Sequence, residues 1–77
     1  MTTREKLIQC FSTVMPTISL EEIPNASIEG TDPWDSVVSV TLVFAVEEDF
    51  EVEIAPEDLD GLASFAKILA YLEAKGV

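Results

Sequence analysis

Apolar positions along this chain fall into stretches of helical spacing separated by segments with no period. In the first stretch Leu7, Ile8, Phe11, Val14 and Met15 recur at i, i+3, i+4 and i+7, the signature of one helix face. Thr2 and Glu5 stand at capping-box spacing, and Pro16 disfavours helical geometry at Met15, so a helix is predicted from Thr3 to Met15. In the last stretch Leu62, Phe65, Ala66, Ile68, Leu69 and Leu72 form the buried stripe of a helix from Leu62 to Lys75, which Gly76 ends. Pro56 suits the first position of a short helix, Pro56 to Asp60. Phe50 to Ile54 alternates apolar and acidic residues but is too short to make a sheet.

The middle stretch, Ser36 to Asp49, is ambiguous on local grounds. Val37, Val38, Val40, Thr41, Val43 and Val46 are β-branched, which favours strand. Asp35 and Ser36 are good helix N-terminal residues, and the run without Gly or Pro is long for a strand. Drawn as a helix, it gathers Ser39, Leu42, Val43, Val46 and Phe50 on one face, the expected core side. Val37, Thr41, Phe44 and Glu48 fall opposite, with Glu47 nearby. Apolar residues ringed by acids on a solvent face are the main anomaly of the pattern. Three main helices and one short one make the expected fold all-α, a small four-helix bundle in a single domain over residues 1–77.

Residues 16–35 form a connection long enough to be functional. Ile18, Leu20, Ile23 and Ile28 are its expected anchors. Ser19 and Glu22 have the spacing to start one short turn, and Gly30, Thr31, Asp32 and Pro33 read as a turn.

Charge then narrows the function. Fifteen acids against four Lys/Arg in 77 residues, with no histidine, give a formal charge of -11. That balance repels phosphate backbones and anionic membrane surfaces and favours basic partners. No apolar run approaches the roughly 20 residues of a membrane span, so neither nucleic-acid binding nor membrane insertion is expected. The N-terminus reads as an amphipathic helix and not a signal peptide. A lone cysteine fits a reducing compartment, and a cytoplasmic monomer is expected. Cys10 is expected on or near the apolar stripe of the first helix, and inert. Tyr71 is expected to be partly buried and structural.

Little chemistry is left. Without histidine and with one cysteine there is no ordinary zinc site and no Ser-His-Asp or Cys-His pair. Glu47, Glu48 and Asp49 point in different directions on a helix and lack calcium-loop spacing; no metal is expected. No glycine-rich phosphate loop is present, and no pair of carboxylates is marked as acid and base. Ser36 stands apart, behind a turn-rich loop and at the head of a helix. Its ordinary role there is a cap worth about 1 kcal/mol. Its functional role would be to carry a phosphate ester, because a helix N-terminus favours an anion.

The run Asp35-Ser36-Val37 followed by an apolar helix ending in Glu47-Glu48-Asp49-Phe50 resembles the acyl carrier protein family, whose pattern is Asp-Ser-Leu before a helix ending in Glu-Glu-(Glu/Asp)-Phe. Asn25-Ala26-Ser27 is similar to the family's upstream loop. Glu53-Ile54 with Pro56-Glu57-Asp58 is similar to its approach to the short helix. Leu62, Phe65, Leu69, Tyr71 and Leu72 are similar to its last helix. The likeness covers nearly the whole chain in register.

The resemblance implies that Ser36 bears a 4′-phosphopantetheine arm, attached from coenzyme A by a magnesium-dependent phosphopantetheinyl transferase, and that the arm holds acyl groups as thioesters. Asp35 would help the transferase recognise the serine or coordinate its magnesium, or act as a plain cap. Val37, Val40, Thr41, Phe44, Glu47 and Glu48 would dock basic partner enzymes of fatty-acid, polyketide or related biosynthesis. Leu42, Val43, Val46, Phe50, Ile54, Ile68 and Leu72 would line an acyl cleft, or serve as ordinary core. The chain would be a tether and not an enzyme. Val38, Ser39 and Thr41 stand where housekeeping carriers have acids, and Trp34 where they have a small residue. Pro33-Trp34-Asp35-Ser36 is more similar to carriers dedicated to one pathway, though Trp34 also suits a loop anchor filling core space. An aminoacyl or peptidyl carrier, and an unmodified interaction module, remain as alternatives.

Overall fold

In the computed structural model, which describes residues 2–32 and 34–77, the capping box at the N-terminus is formed. The Glu5 N–H donates to Thr2 Oγ1 at 3.1 Å and the Thr2 N–H to Glu5 Oε1 at 3.4 Å. It opens α1, Thr3–Val14, which buries Leu7, Cys10 and Phe11. The helix stops one residue short of the expected end. Met15 has left helical geometry (φ -127°, ψ 72°), the restriction that a following proline imposes. Pro33, the last residue of the expected turn, lies outside the described residues.

The β-branched middle stretch is a helix, α2, Ser36–Phe50. Asp35 Oδ1 caps it by accepting the Val38 N–H at 2.9 Å. Leu42, Val46 and Phe50 form its buried stripe and face chiefly α1. Helix wins over strand because a stripe at i, i+4, i+8 finds a partner helix. A strand would need a ladder, and the described residues offer one isolated bridge, between Ser27 and Ser64. Glu51 ends α2 in the left-handed conformation (φ 54°). The reversal lets Glu47 Oε2 accept the Ile54 N–H at 2.9 Å.

A 3₁₀ helix, Pro56–Gly61, follows and buries none of its residues. The last helix, α3, is Phe65–Ala74, three residues shorter at its start than the stripe implies. Leu62 closes the 3₁₀ helix, and Ser64 caps α3 by accepting the Lys67 N–H at 3.2 Å. Between them the chain is extended and pairs with the long connection: the Ile28 N–H donates to the Ala63 carbonyl at 2.9 Å and the Phe65 N–H to the Ala26 carbonyl at 3.0 Å. Ala66, expected in the stripe, is exposed.

Those bonds hold the connection against the bundle. It adds one further 3₁₀ turn, Ile23–Asn25. Its anchors are Ile23, Ala26 and Trp34, all buried, with Ile18 and Ile28 packed partly against the core; Leu20 is 60% exposed and anchors nothing. Ser19 Oγ donates to Glu22 Oε1 at 3.2 Å, just ahead of the turn. Phe11 stands at the centre of the core, fully buried, with Trp34 and Phe65 edge-on to it at 5.2 Å each, a favoured aromatic geometry.

Candidate functional site

Ser36 is exposed at the first position of α2. Asp35 serves as the helix cap, and the first turn holds no acid. The dipole and spare N–H groups of that turn favour an anion.

Ser36 also lies on the rim of a cavity of about 550 Å³ between α2, the long connection and the 3₁₀ helix, a size ordinary for a small-molecule pocket. Trp34, Ser39, Val40, Leu42, Val43, Phe44 and Glu47 line it from the α2 side, and Ile28, Ile54, Leu59, Asp60, Leu62, Ala63 and Ile68 from the other. The 3₁₀ wall is tied to α3 by the Tyr71 hydroxyl, which donates to Asp58 Oδ2 at 2.9 Å.

Of the residues expected to line an acyl cleft, Leu42, Val43, Ile54 and Ile68 lie on the wall of this cavity. Val46, Phe50 and Leu72 do not. They are buried in the core, because the stripe that carries Val46 and Phe50 turns toward α1. The cavity draws instead on segments that have no period to betray them, and on Trp34 and Ser39, joined by a 2.7 Å hydrogen bond from the indole N–H to Ser39 Oγ. The signals for them were the place of Ser39 on the inner face of the helical wheel and the suitability of Trp34 as a loop anchor.

Of the expected docking residues, Val37 (75% exposed), Val40 and Phe44 stand out from α2, with Thr41 and Glu48 exposed beside them. Val40 and Phe44 also reach the cavity lining. Glu47 departs from the expectation: it is half-buried, and one carboxylate oxygen is committed to the Ile54 N–H, so it is part of the turn after α2 rather than a free rim charge.

Cys10 is on the buried side of α1, as its spacing implied. Its thiol donates to Asp49 Oδ2 at 2.8 Å. Burial pushes its pKa up from 9.0 to about 12, helped by the hydrogen bond and charge of Asp49 and opposed by Lys6. A thiol held neutral is a poor nucleophile. Among the described residues no group of three or more His, Cys, Asp or Glu side chains could hold a metal ion, and no helix is long and apolar enough to cross a membrane.

The family described as "Phosphopantetheine attachment site" matches residues 5–72. An acyl carrier protein of Syntrophus aciditrophicus (strain SB) is 30% identical over 77 residues, the whole of this chain and 96% of that protein. One from Buchnera aphidicola subsp. Schizaphis graminum (strain Sg) is 35% identical over 72 residues, 92% of this chain and 91% of that protein. One from Bdellovibrio bacteriovorus is 45% identical over 42 residues, 54% of each. The family match takes in the cap, the serine, the whole of α2 and most of α1 and α3, and two of these relatives align nearly end to end; the chain belongs to the phosphopantetheine-attachment family, among the acyl carrier proteins, with 4′-phosphopantetheine as its covalently attached prosthetic group.

Proposed function

We propose that Ser36 is the attachment point and that the chain carries acyl intermediates for a dedicated biosynthetic pathway of the fatty-acid, polyketide or related kind. One observation carries this reading: the exposed Ser36 hydroxyl sits at once on the N-terminus of α2 and on the rim of a largely apolar cavity. The residues present fit the group. The hydroxyl is accessible, the phosphate it would bear meets a helix N-terminus whose first turn has no acid, and the cavity opens beside it. When bound, the arm supplies a thiol that holds acyl groups as thioesters. Asp35 holds the first turn of α2 in place and presents the serine; the other residues near it bind and exclude water. The chain itself performs no catalysis in this reading.

Val37, Val40, Thr41, Phe44 and Glu48 form the docking face, offered to the phosphopantetheinyl transferase and to acyl-loading and acyl-processing enzymes with basic surfaces. Apolar anchors beside charge suit brief, specific contacts. Trp34, Val38, Ser39 and Thr41 support a dedicated rather than a housekeeping role. The chain acts as a cytoplasmic monomer.

The test is to incubate the protein with coenzyme A, magnesium and a broad-specificity phosphopantetheinyl transferase and to record intact mass. Wild type should gain one phosphopantetheine and Ser36→Ala none. If folded wild type gains nothing with either of two transferases, Ser36 is only a helix residue and the chain is an interaction module.

A further inference from the structure

Trp34 and Ser39 meet on the wall of the cavity. The indole is 2% exposed, its ring is held edge-on against Phe11, and its N–H donates to Ser39 Oγ at 2.7 Å. A hydroxyl that accepts such a bond still has a proton to donate. Thr41, two residues on, gives its proton to the Val37 carbonyl one turn back, at 3.4 Å. Ser39 makes no such bond, and no group among the described residues accepts its proton. The indole therefore takes one of the two acceptor lone pairs of Ser39 and leaves its donor free on the cavity wall.

The rest of the lining sharpens what this donor can meet. Ser39 lies three residues after Ser36, about one turn into the helix, so it flanks the path of anything tethered at the rim. The surrounding lining is mostly apolar, with Glu47 and Asp60 as the carboxylates. Ionised carboxylates accept hydrogen bonds and do not donate them. Glu47 is half-buried and Asp60 exposed, and both repel a further negative group, Asp60 the more weakly because solvent screens it. The cavity thus offers a neutral hydroxyl donor to a neutral acceptor and disfavours an anionic one.

We propose that Ser39 binds a ketone oxygen of the cargo, with Trp34 as its positioning residue, so that this carrier shelters keto-acyl groups in preference to saturated ones and leaves carboxylate-ended groups outside. The inference rests on Ser36 carrying the arm. It deepens that reading by naming the class of cargo.

The experiment loads the full chain at Ser36 with arms bearing octanoyl, β-keto-octanoyl or ω-carboxy-octanoyl groups, with intact mass recorded for each. Thioester exchange with glutathione is then timed on the protein and on the matching free pantetheine thioester. The ratio is a protection factor from which the intrinsic reactivity of each cargo cancels. The β-keto cargo should be protected about 2- to 10-fold more than octanoyl, the range one net hydrogen bond supplies, and the ω-carboxy cargo less than octanoyl. Ser39→Ala should erase the keto advantage while leaving octanoyl protection in place, and Ser39→Thr should restore it. Trp34→Phe keeps a ring but loses the N–H, and should lower the keto advantage alone; a merely structural role would lower both. Equal protection of the two cargoes in wild type, or a keto advantage that survives Ser39→Ala, overturns the proposal. An equal loss for both cargoes in Ser39→Ala assigns the bond to the arm's own carbonyls and overturns it as well. No arm in the intact mass overturns both readings; an arm without a keto advantage overturns this one alone.

Discussion

The two flanks of α2 are built to opposite ends. On the flank toward α1, Val46 and Phe50 lie against a core whose centre, Phe11, is fully buried between two aromatic rings, and Leu42 stands at the boundary. On the flank toward the 3₁₀ helix the same α2 borders a cavity of about 550 Å³, and the facing helix buries no residue of its own. A chain this small has little core to spare. Leaving one flank partly unfilled shifts more of the close packing to the other, although Trp34, Leu42, Ile54, Leu62 and Ile68 are buried and also line the cavity. Stability and capacity are thus separated across one helix, and substitutions on the two flanks should differ in size.

The largest effect belongs to the filled flank. Phe11→Ala should cost about 3–5 kcal/mol, whereas Leu59→Ala, at a cavity residue 41% exposed, should cost less than about 1 kcal/mol. Urea unfolding of both variants measures the contrast, and equal losses would dissolve it.

Cys10 sharpens the filled flank by pH. Its pKa is raised in the folded chain from 9.0 to about 12, so folding favours the protonated thiol. That stabilisation is complete below the unfolded value and is lost as pH rises from about 9 through about 12. Urea midpoints of wild type and Cys10→Ala, compared across this window, should converge as pH rises. A gap that stays constant would count against the burial of the thiol and, after it, against its hydrogen bond to Asp49.

On the open flank Tyr71→Phe removes the bond to Asp58. The cost should be about 1 kcal/mol or less, with faster amide exchange confined to residues 57–61. Global loss instead would mean that the 3₁₀ wall is part of the core. The smallest effect should be that of salt. At a net charge of -11, moderate salt screens self-repulsion and should raise the melting temperature modestly; an unchanged value at low and moderate salt would mean that self-repulsion does not limit the stability of the fold.

The sequence was legible where side chains act at a fixed spacing along one element. The Thr2–Glu5 box, the Asp35 cap, the α1 stripe and the position of Ser36 all come from contacts within a turn or two. Legibility fails where a contact crosses a reversal. The Glu47 carboxylate reads as a surface acid until the left-handed Glu51 swings the chain back and brings the Ile54 N–H onto it. It fails again where a wall is made of segments with no period. The helical wheel could place Val46 and Phe50 on the inner face of α2, but that face divides between α1 and the cavity, and only the docking of the connection through Ile28 and Ala63 decides where the division falls.

Trp34 is the sole tryptophan, and it touches both flanks, edge-on to Phe11 on one side and lining the cavity on the other. The protein therefore carries its own optical probe at the boundary. Unfolding moves the indole into water and shifts its emission to the red. Filling the cavity changes its neighbours while it stays buried, which alters intensity with little change of colour. A single emission spectrum separates loss of the fold from occupation of the site, with no label attached.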